Sequence, residues 1–408
     1  MRIVAIISEY NPFHKGHKYH LEMAKEISSS NYAIAIMSGS FLQRGEPALF
    51  DKWSRAKMAV LNGVDLVIEL PVIYSCQPAE NFAYGAMKIL DSLNIVDCLC
   101  FGSETGDIDK LKNIASLLIN EPKVFKDEIK EKIAKGLSYP EALSNTIVSI
   151  LGDDVLTPNN ILGIEYIKAK YLLKSAIDLY TIKRISNDYH DKNITSSISS
   201  ATAIRNEIQN KGFTEALSST VPPYTYDIIK KNTAMNKGPI FLDDFSDLIL
   251  YQLRKMSITS LKKISHVKEG LEHRIKNQAN KSGHIHQVID LINTKRYTQS
   301  HIQRILFHSL LGINSKDTIK SKKQESQVYF RILGFNDNGR EMLKEIKKSS
   351  PYPLITKTAN FRSKDPFLNR MFYLDTLSTD IYNIAMKNLK FRKAKEDYFT
   401  SPLYIRNK

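Results

Sequence analysis

Hydrophobic residues in the first half of the chain follow two alternating patterns. Short, largely apolar runs, typical of strands buried on both faces, occupy residues 3–8, 32–37, 64–71, 96–101 and 176–182. Between these runs, apolar positions recur every three or four residues, as at 80–90 and 161–173. Strands that alternate with helices predict an α/β fold with a doubly wound parallel sheet.

The alternation stops near Lys211, and the remaining residues are predicted to be mainly helical. Helical spacing is present at residues 243–256, 283–292, 298–311, 340–348 and 375–389, and one short strand is predicted at 327–333. We therefore predict an α/β domain over residues 1–210, followed by a mainly helical domain over residues 211–408.

The first predicted strand runs directly into a turn with two histidines. Pro12 ends the strand, and helical spacing begins after His14-Lys15-Gly16-His17. The first turn of a helix has unpaired N–H groups and the positive end of the helix dipole, so it attracts anions. Gly16 allows a phosphate close to the backbone, and both histidines can donate hydrogen bonds to a phosphate under attack. The alternative is a surface turn that contains histidines by chance.

A second phosphate-binding segment is predicted at Ser199–Arg205. It offers serine hydroxyls and backbone N–H groups at a helix start, with an arginine one turn later. Thr157-Pro158-Asn159-Asn160 opens another helix, and its asparagines offer amides to a ribose or a base.

Several charged residues have two interpretations. Lys52 and Arg55 lie in the first turn of a helix capped by Asp51, near Arg44 in the sequence, which suits either a nearby triphosphate or a solvated helix face. Glu69 and Glu104 follow or end predicted strands, so they suit a metal, a substrate or a helix cap.

The net charge of +15 is unevenly distributed. Residues 1–200 contain 22 Lys and Arg against 24 Asp and Glu, whereas residues 201–408 contain 36 against 19. A strongly basic second half predicts a polyanion partner, and a lysine-rich solvated surface is the alternative. His284 and His286 would face the same side of a strand and hint at a metal, but without a third ligand nearby we expect exposed histidines and no metal site.

The remaining composition excludes several classes of protein. No apolar run is long enough for a membrane span, and no secretory signal is expected at the N-terminus. The three cysteines lack the spacing of a disulfide framework or a zinc site, and we expect Cys98 and Cys100 to be inert core residues. A cytoplasmic location is therefore expected.

Six motifs together resemble one family. They are NPFHKGHKYH at 11–20, QRGEPA at 43–48, DLVIELP at 65–71, FGSE at 101–104, TPNNILGIEY at 157–166 and ISSATAIR at 198–205. The chain is similar to the tRNA(Met) cytidine acetate ligase family, within the HxGH nucleotidyltransferase superfamily. The resemblance covers about residues 1–205 by motif; beyond them it extends only to length and basic character.

The resemblance implies an ATP-dependent ligase. Such an enzyme activates acetate as acetyl-adenylate and acetylates the wobble cytidine of elongator tRNA(Met) to N4-acetylcytidine, so ATP, acetate and this tRNA are the expected ligands. Whether magnesium accompanies the ATP, and the oligomeric state, are left open. Two alternatives stay open: a small-molecule adenylyltransferase, and a non-catalytic RNA-binding protein that retains a nucleotide.

The expected site residues follow from the resemblance and from the second phosphate-binding segment. Catalytic roles are expected for His14, His17, Lys18 and Arg44. ATP contacts are expected at Ile7, Ser8, Glu9, Tyr10, Asn11, Pro12, Phe13, His14, Lys15, Gly16, His17, Lys18, Tyr19, His20, Gly102, Asn159, Arg184, Ser199, Ser200 and Arg205.

Overall fold

The computed structural model describes residues 1–137, 139–152, 155–185, 199–294 and 297–407. Ile198, the first residue of the ISSATAIR motif, lies outside the described residues. In the first region the elements are β1 (Ile3–Ser8), α1 (Lys15–Ile27), β2 (Tyr32–Ser38), α2 (Lys52–Leu61), β3 (Leu66–Leu70), α3 (Val72–Ser75), α4 (Ala79–Ser92), β4 (Cys98–Ser103), α5 (Ile108–Asn120), α6 (Lys123–Ala134), α7 (Tyr139–Leu151), α8 (Pro158–Leu173), β5 (Asp178–Lys183) and α9 (Ala201–Lys211).

The second region is mainly helical, as predicted. Its elements are α10 (Glu215–Thr220), α11 (Pro223–Ala234), α12 (Ser246–Lys255), α13 (Ile258–Lys262), α14 (Leu271–Lys281), α15 (Ile285–Ile292), α16 (Gln299–Leu311), α17 (Ser315–Ser321), β6 (Phe330–Phe335), α18 (Asp337–Ser349), β7 (Leu354–Ile355), α19 (Pro366–Ile384), α20 (Glu396–Phe399) and β8 (Leu403–Tyr404). Short 3-10 helices cover Leu242–Phe245, Thr358–Asn360 and Leu389–Phe391.

Five parallel strands form the predicted sheet, in the order β5-β4-β1-β2-β3. In register, Ile3 lies opposite Tyr32, and Cys98 lies opposite Asp178. Strand β1 lies between β2 on one side and β4 on the other, so the strand order reverses at β1. This reversal of strand order opens a crevice beyond the carboxyl ends of β1 and β4, where such sheets bind ligands.

The second region completes this sheet. Strand β6 pairs antiparallel with β3, with Phe335 opposite Leu66, and β7 and β8 both pair with β6. The division at residue 210 stays a prediction, but the two regions are joined by backbone hydrogen bonds and not only by side chains.

Both faces of the sheet are covered by helices. Along β1, Ile3 and Ala5 belong to one hydrophobic core, whereas Val4 and Ile6 belong to the other, and all four are buried. Because successive side chains of a strand point to opposite faces, a strand between two cores must be apolar at every position. This explains the continuous apolar runs of the sequence.

Boundaries differ from the predictions mainly in the second region. The helix predicted at 375–389 begins at Pro366, because Asp365 caps it by accepting a hydrogen bond from the Phe367 N–H at 2.7 Å. The strand predicted at 327–333 begins instead at Phe330. All three cysteines are free and buried, in agreement with inert core residues. No helix within the described ranges is long and apolar enough to cross a membrane.

Candidate active site

A cavity of ≈ 310 Å³ opens in the crevice beyond β1, β4 and β5. The first turns of α1, α8 and α9 all reach it. The predicted site residues that line it are Ile7, Ser8, Glu9, Tyr10, Asn11, His14, Gly16, His17, Tyr19, His20, Arg44, Gly102, Asn159, Arg184, Ser199, Ser200 and Arg205. Segments far apart in the sequence thus meet at one cavity.

Four predicted site residues do not line the cavity: Pro12, Phe13, Lys15 and Lys18. Phe13 is buried in the hydrophobic core beside α1. The side chain of Lys18 is 48% exposed, and its Nζ lies 3.9 Å from an Oε1 of Glu22, one helical turn away. The catalytic role expected for Lys18 stays a prediction.

The two imidazoles of the HxGH motif lie against each other, with ring centroids 3.8 Å apart. The backbone N–H of His14, the N-cap of α1, donates to Nδ1 of His17 at 3.2 Å. In a neutral imidazole the other nitrogen then carries the hydrogen, so His17 has Nε2–H as its donor. Burial, with Arg184 nearby, lowers the pKa of His14 to about 3 and that of His17 well below its usual value. Both rings are therefore neutral hydrogen-bond donors near pH 7.

Arg184 follows β5 and supplies positive charge to the cavity. Its side chain crosses Gly102, where an added Cβ would lie 3.1 Å from Cγ of Arg184, so a glycine suits this close approach. Burial lowers the pKa of Arg184, and its charge in turn contributes to lowering the pKa of His20 to about 4. No described residue accepts a hydrogen bond from its guanidinium. Such a cation at the cavity favours an anionic ligand.

The second phosphate-binding segment holds the turn that follows β1. Ser200 caps α9, and its Oγ accepts a hydrogen bond from the Ala203 N–H at 3.1 Å. Arg205 donates through Nη1 to the carbonyl oxygen of Asn11 at 3.3 Å, and its Nη2 lies 3.6 Å from an Oε2 of Glu46. This contact brings the two predicted segments together.

Glu104 caps α8. Its carboxylate accepts hydrogen bonds from the backbone N–H groups of Asn159 and Asn160 and from Nδ2 of Asn159 at 2.6 Å. These bonds lower the pKa of Glu104 despite partial burial. Of the interpretations left open, the structure supports the helix cap. The amide nitrogen of Asn159 is thereby occupied, and its Oδ1 is available to a ligand.

The loop at residues 38–48 covers the cavity on the β2 side. Its Gln43 N–H donates to Oε1 of Glu9 at 2.9 Å, and its Gln43 carbonyl accepts from Nη1 of Arg304 at 3.0 Å. Gly45 has a φ of +71° and packs against the backbone of α16. The described residues that line the cavity end at Arg205 in the sequence. The second region therefore contacts this loop through α16 without lining the cavity.

Lys52 and Arg55 do not face the cavity or solvent, so both interpretations offered for them are wrong. Nζ of Lys52 lies 2.9 Å from Glu69 and 2.8 Å from Asp397. Arg55 donates to the backbone carbonyls of residues 9, 38, 39 and 50. Glu69 is likewise part of an internal ion pair and not a cap or a metal ligand.

His284 and His286 lie at the start of helix α15 and not on a strand. Both Nε2 atoms approach an Oδ1 of Asp243, at 3.4 Å and 3.1 Å, so a third polar residue is present, contrary to the expectation. Nδ1 of His284 accepts from the His286 N–H at 3.4 Å. The ligand atoms of these three side chains all lie within 4.8 Å of one another, so the reason given for expecting no metal, the lack of a third ligand, is wrong, and the absence of a metal stays a prediction.

Sequence reasoning did not assign several residues of the cavity. Leu42, Gln43, Glu46, Pro158, Ala201 and Thr202 lie in segments that it named, but it gave them no individual role, and it missed Phe82, Leu162, Tyr166, Ile182, Lys183 and Ile185 as cavity residues. Phe82, Leu162 and Tyr166 occupy apolar helix positions that look like ordinary core positions in a sequence. Glu46 lies in the QRGEPA motif, so the motif itself was the signal that could have indicated it.

Comparisons with known proteins agree with this geometry. The model of the HIGH Nucleotidyl Transferase family matches residues 1–397. A tRNA(Met) cytidine acetate ligase of Acetivibrio thermocellus is 44% identical over 98% of each chain, and one of Caldanaerobacter subterraneus subsp. tengcongensis is 45% identical over 98% of each chain. The crystal structure of Thermotoga maritima TmcAL bound with alpha-thio ATP has a TM-score of 0.91 and 34% identity over the full length of both chains.

The fold and the paired imidazoles place the chain among the HIGH nucleotidyltransferases. Within that class, its full-length similarity to several ligases shows that it belongs to the tRNA(Met) cytidine acetate ligase family. The similarity extends through the second region, where no motif was found in the sequence.

Proposed function

We propose that this protein is an ATP-dependent ligase that acetylates the wobble cytidine of elongator tRNA(Met) to N4-acetylcytidine. The observation that carries this proposal is the cavity where the HxGH helix meets Arg184 and the start of α9. Its neutral donors and its cation suit a nucleoside triphosphate. The relatives that share the whole chain length carry the corresponding name. The reaction is expected in the cytoplasm, where ATP and tRNA are both present.

In the first step, acetate attacks the α-phosphorus of ATP and pyrophosphate leaves, which yields acetyl-adenylate. Negative charge on the phosphoryl oxygens is stabilised by hydrogen bonds from His14 and His17 and by the charge of Arg184 and Arg205. Such transfers require positioning and electrostatic stabilisation more than covalent catalysis.

In the second step, the exocyclic amine of cytidine attacks the acetyl carbonyl carbon, and AMP leaves. The tRNA partner is expected to contact the basic second region. Exposed lysines there are clustered at Lys262 and Lys263, at Lys320, Lys322 and Lys323, and at Lys347 and Lys348. Aromatic residues of this region could stack on bases, but Tyr329, Phe330, Phe361 and Phe372 are buried, and Tyr373 is 52% exposed.

The test uses labelled acetate, ATP and bulk tRNA. Label in tRNA supports the ligase, a labelled or adenylylated small molecule without label in tRNA supports the adenylyltransferase, and tRNA binding without pyrophosphate release supports the non-catalytic alternative. His14→Ala is expected to abolish acetyl-adenylate formation and to leave tRNA affinity near normal, because the lost donor acts on the phosphate only. The exposed His273 provides the control variant His273→Ala, which should keep full activity.

A further inference from the structure

Transfer of the acetyl group to cytidine requires a proton acceptor. The exocyclic amine is a weak nucleophile, and its nitrogen must lose one proton as the new bond to the carbonyl carbon forms. General bases in such steps typically contribute about 10²–10⁴-fold in rate. A group suited to this task has to line the cavity, accept a proton near neutral pH and have a free oxygen or nitrogen atom.

The histidines of the cavity are poor candidates. Burial and Arg184 lower the pKa of His14 to about 3 and that of His20 to about 4, so both are weak bases at neutral pH. Nδ1 of His17 already accepts a backbone hydrogen bond. The carboxylates among the described lining residues are Glu9 and Glu46.

Hydrogen bonds hold both the backbone and the side chain of Glu9. It is the first residue after β1, and its backbone carbonyl accepts a hydrogen bond from Nη1 of Arg55 at 2.7 Å. Its Oε1 accepts from the Gln43 N–H at 2.9 Å. Among the described residues there is no hydrogen-bond donor to its Oε2. One oxygen is therefore fixed, and the other is available to a ligand in the cavity.

Glu46 differs from Glu9 in its exposure and in the contacts of its carboxylate. Its side chain is 31% exposed, and its Oε2 lies 3.6 Å from Nη2 of Arg205, which partly neutralises its charge. One oxygen of Glu46 therefore faces a cation, whereas no described residue donates to Oε2 of Glu9. The loop that carries Glu46 also carries Gln43, whose N–H holds Glu9.

We propose that Glu9 is the catalytic residue that accepts the proton from the cytidine amine during acetyl transfer. The bond from N4 to the acetyl carbon forms, the bond from that carbon to the adenylate oxygen breaks, AMP leaves with the electron pair, and the N4 proton moves to Oε2 of Glu9. The inference rests on the proposed function, because it presupposes that acetyl-adenylate is the donor.

The charged surroundings of Glu9 agree with this role. Burial raises its pKa, and the nearby Glu46 raises it further, while the Gln43 hydrogen bond, Arg205 and Arg44 oppose these effects without cancelling them. The other titratable groups that interact with it are Arg55 on α2, Tyr166 on α8 and Cys76 after α3. A carboxylate with a raised pKa is a better base near neutral pH.

The experiment separates the two steps. Acetate-dependent exchange of labelled pyrophosphate into ATP measures the first step, and a single turnover of purified enzyme-bound acetyl-adenylate with tRNA measures the second. We expect Glu9→Gln, which keeps the hydrogen bond to Gln43, to slow the second step at least 100-fold and the first by less than about 5-fold. The wild-type transfer rate should rise with pH through one ionisation that Glu9→Gln abolishes.

The matched control is Glu46→Gln, which alters the other carboxylate of the same cavity and should slow transfer less than 10-fold. A Glu9→Gln enzyme that transfers at a near-normal rate, or that loses both steps equally, would overturn the inference. So would a selective loss of transfer in Glu46→Gln. If Glu9→Gln has a melting temperature well below that of the wild type, Glu9→Asp replaces it as the test variant. The shorter side chain of Glu9→Asp withdraws the carboxylate, so we expect transfer to slow more than exchange and the pH dependence of transfer to remain. Absence of exchange in the wild type would instead contradict the proposed function.

Discussion

Two sets of cations in the α/β region differ in what neutralises them. Lys52 bonds to two carboxylates, and Arg55 bonds to four backbone carbonyls, so each is satisfied within the protein. Both are buried, and burial of a charge costs free energy unless a partner compensates it. Arg184, which lines the cavity, is exposed, and no described residue accepts a hydrogen bond from its guanidinium. We infer that a cation open to the cavity, and not cationic character alone, marks the place for an anionic ligand.

The largest effect is expected for Lys52→Ala. This change leaves Glu69 and Asp397 as buried carboxylates without their shared partner, and breaking a buried ion pair costs about 3–5 kcal/mol. The free energy of unfolding, measured with urea, should fall by this amount. Lys57→Ala, on the exposed side of the same helix, should change it by less than about 0.5 kcal/mol. If Lys52→Ala kept its stability but lost affinity for ATP, Lys52 would belong to the ATP site and not to an internal ion pair.

The next effect is expected for Arg184→Ala, in the other set. Loss of charge-assisted hydrogen bonds to a phosphate costs about 1.5–3 kcal/mol, which corresponds to a loss of affinity for ATP of roughly 10–100-fold. The melting temperature should stay nearly the same, because Arg184 is exposed and donates no hydrogen bond to a described residue. Calorimetric titration with an ATP analogue measures the affinity, and Lys112→Ala, on the surface of α5, is the control. A variant that binds ATP normally would contradict the comparison.

Arg304 is intermediate between the two sets. It is a buried cation of the second region with one described bond, to the Gln43 carbonyl at 3.0 Å. Because the N–H of the same residue, Gln43, holds Glu9, we expect Arg304→Ala to slow acetyl transfer about 10-fold and to change ATP affinity less than 2-fold. Arg254 also donates to backbone carbonyls, of residues 279 and 282, but outside the cavity. Arg254→Ala should therefore not slow transfer, and equal effects of the two variants would exclude a positioning role.

The smallest effect per pH unit is expected in the pH dependence of stability, where one histidine changes the slope by at most one bound proton, or about 1.4 kcal/mol per pH unit. His14 has a pKa of about 3 in the folded protein and about 6.5 when unfolded. Between these values the unfolded chain binds the proton and the folded chain does not, so stability falls as the pH is lowered from about 6.5 toward 3. His14→Asn should give a shallower slope in urea unfolding series, and His273→Asn should leave it unchanged.

Much of the fold follows from local patterns. The strands β1 to β5 are confirmed, because strands buried on both faces leave continuous apolar runs, and so are the predicted helices α1, α2, α4 and α8. The cap at Asp51 is also confirmed, since its side chain accepts hydrogen bonds from the N–H groups of Trp53 and Ser54. The pairing of β6 with β3 joins residues more than 250 positions apart, and a local pattern contains no information on such a contact.

The sequence by itself determined the α/β class, the motifs that meet at the cavity and the similarity to one family. Only the tertiary structure decided which polar residues are available for chemistry. In the sequence, Arg184, Glu9 and Glu69 are charges at or near strand ends and Lys52 is a charge at a helix start, and nothing local shows which of them is available. Their roles depend on whether distant segments supply partners: Asp397 bonds to Lys52, whereas no described residue accepts a hydrogen bond from the Arg184 guanidinium. Burial and pairing arise only when the chain folds, so the availability of a charge is a property of the tertiary structure.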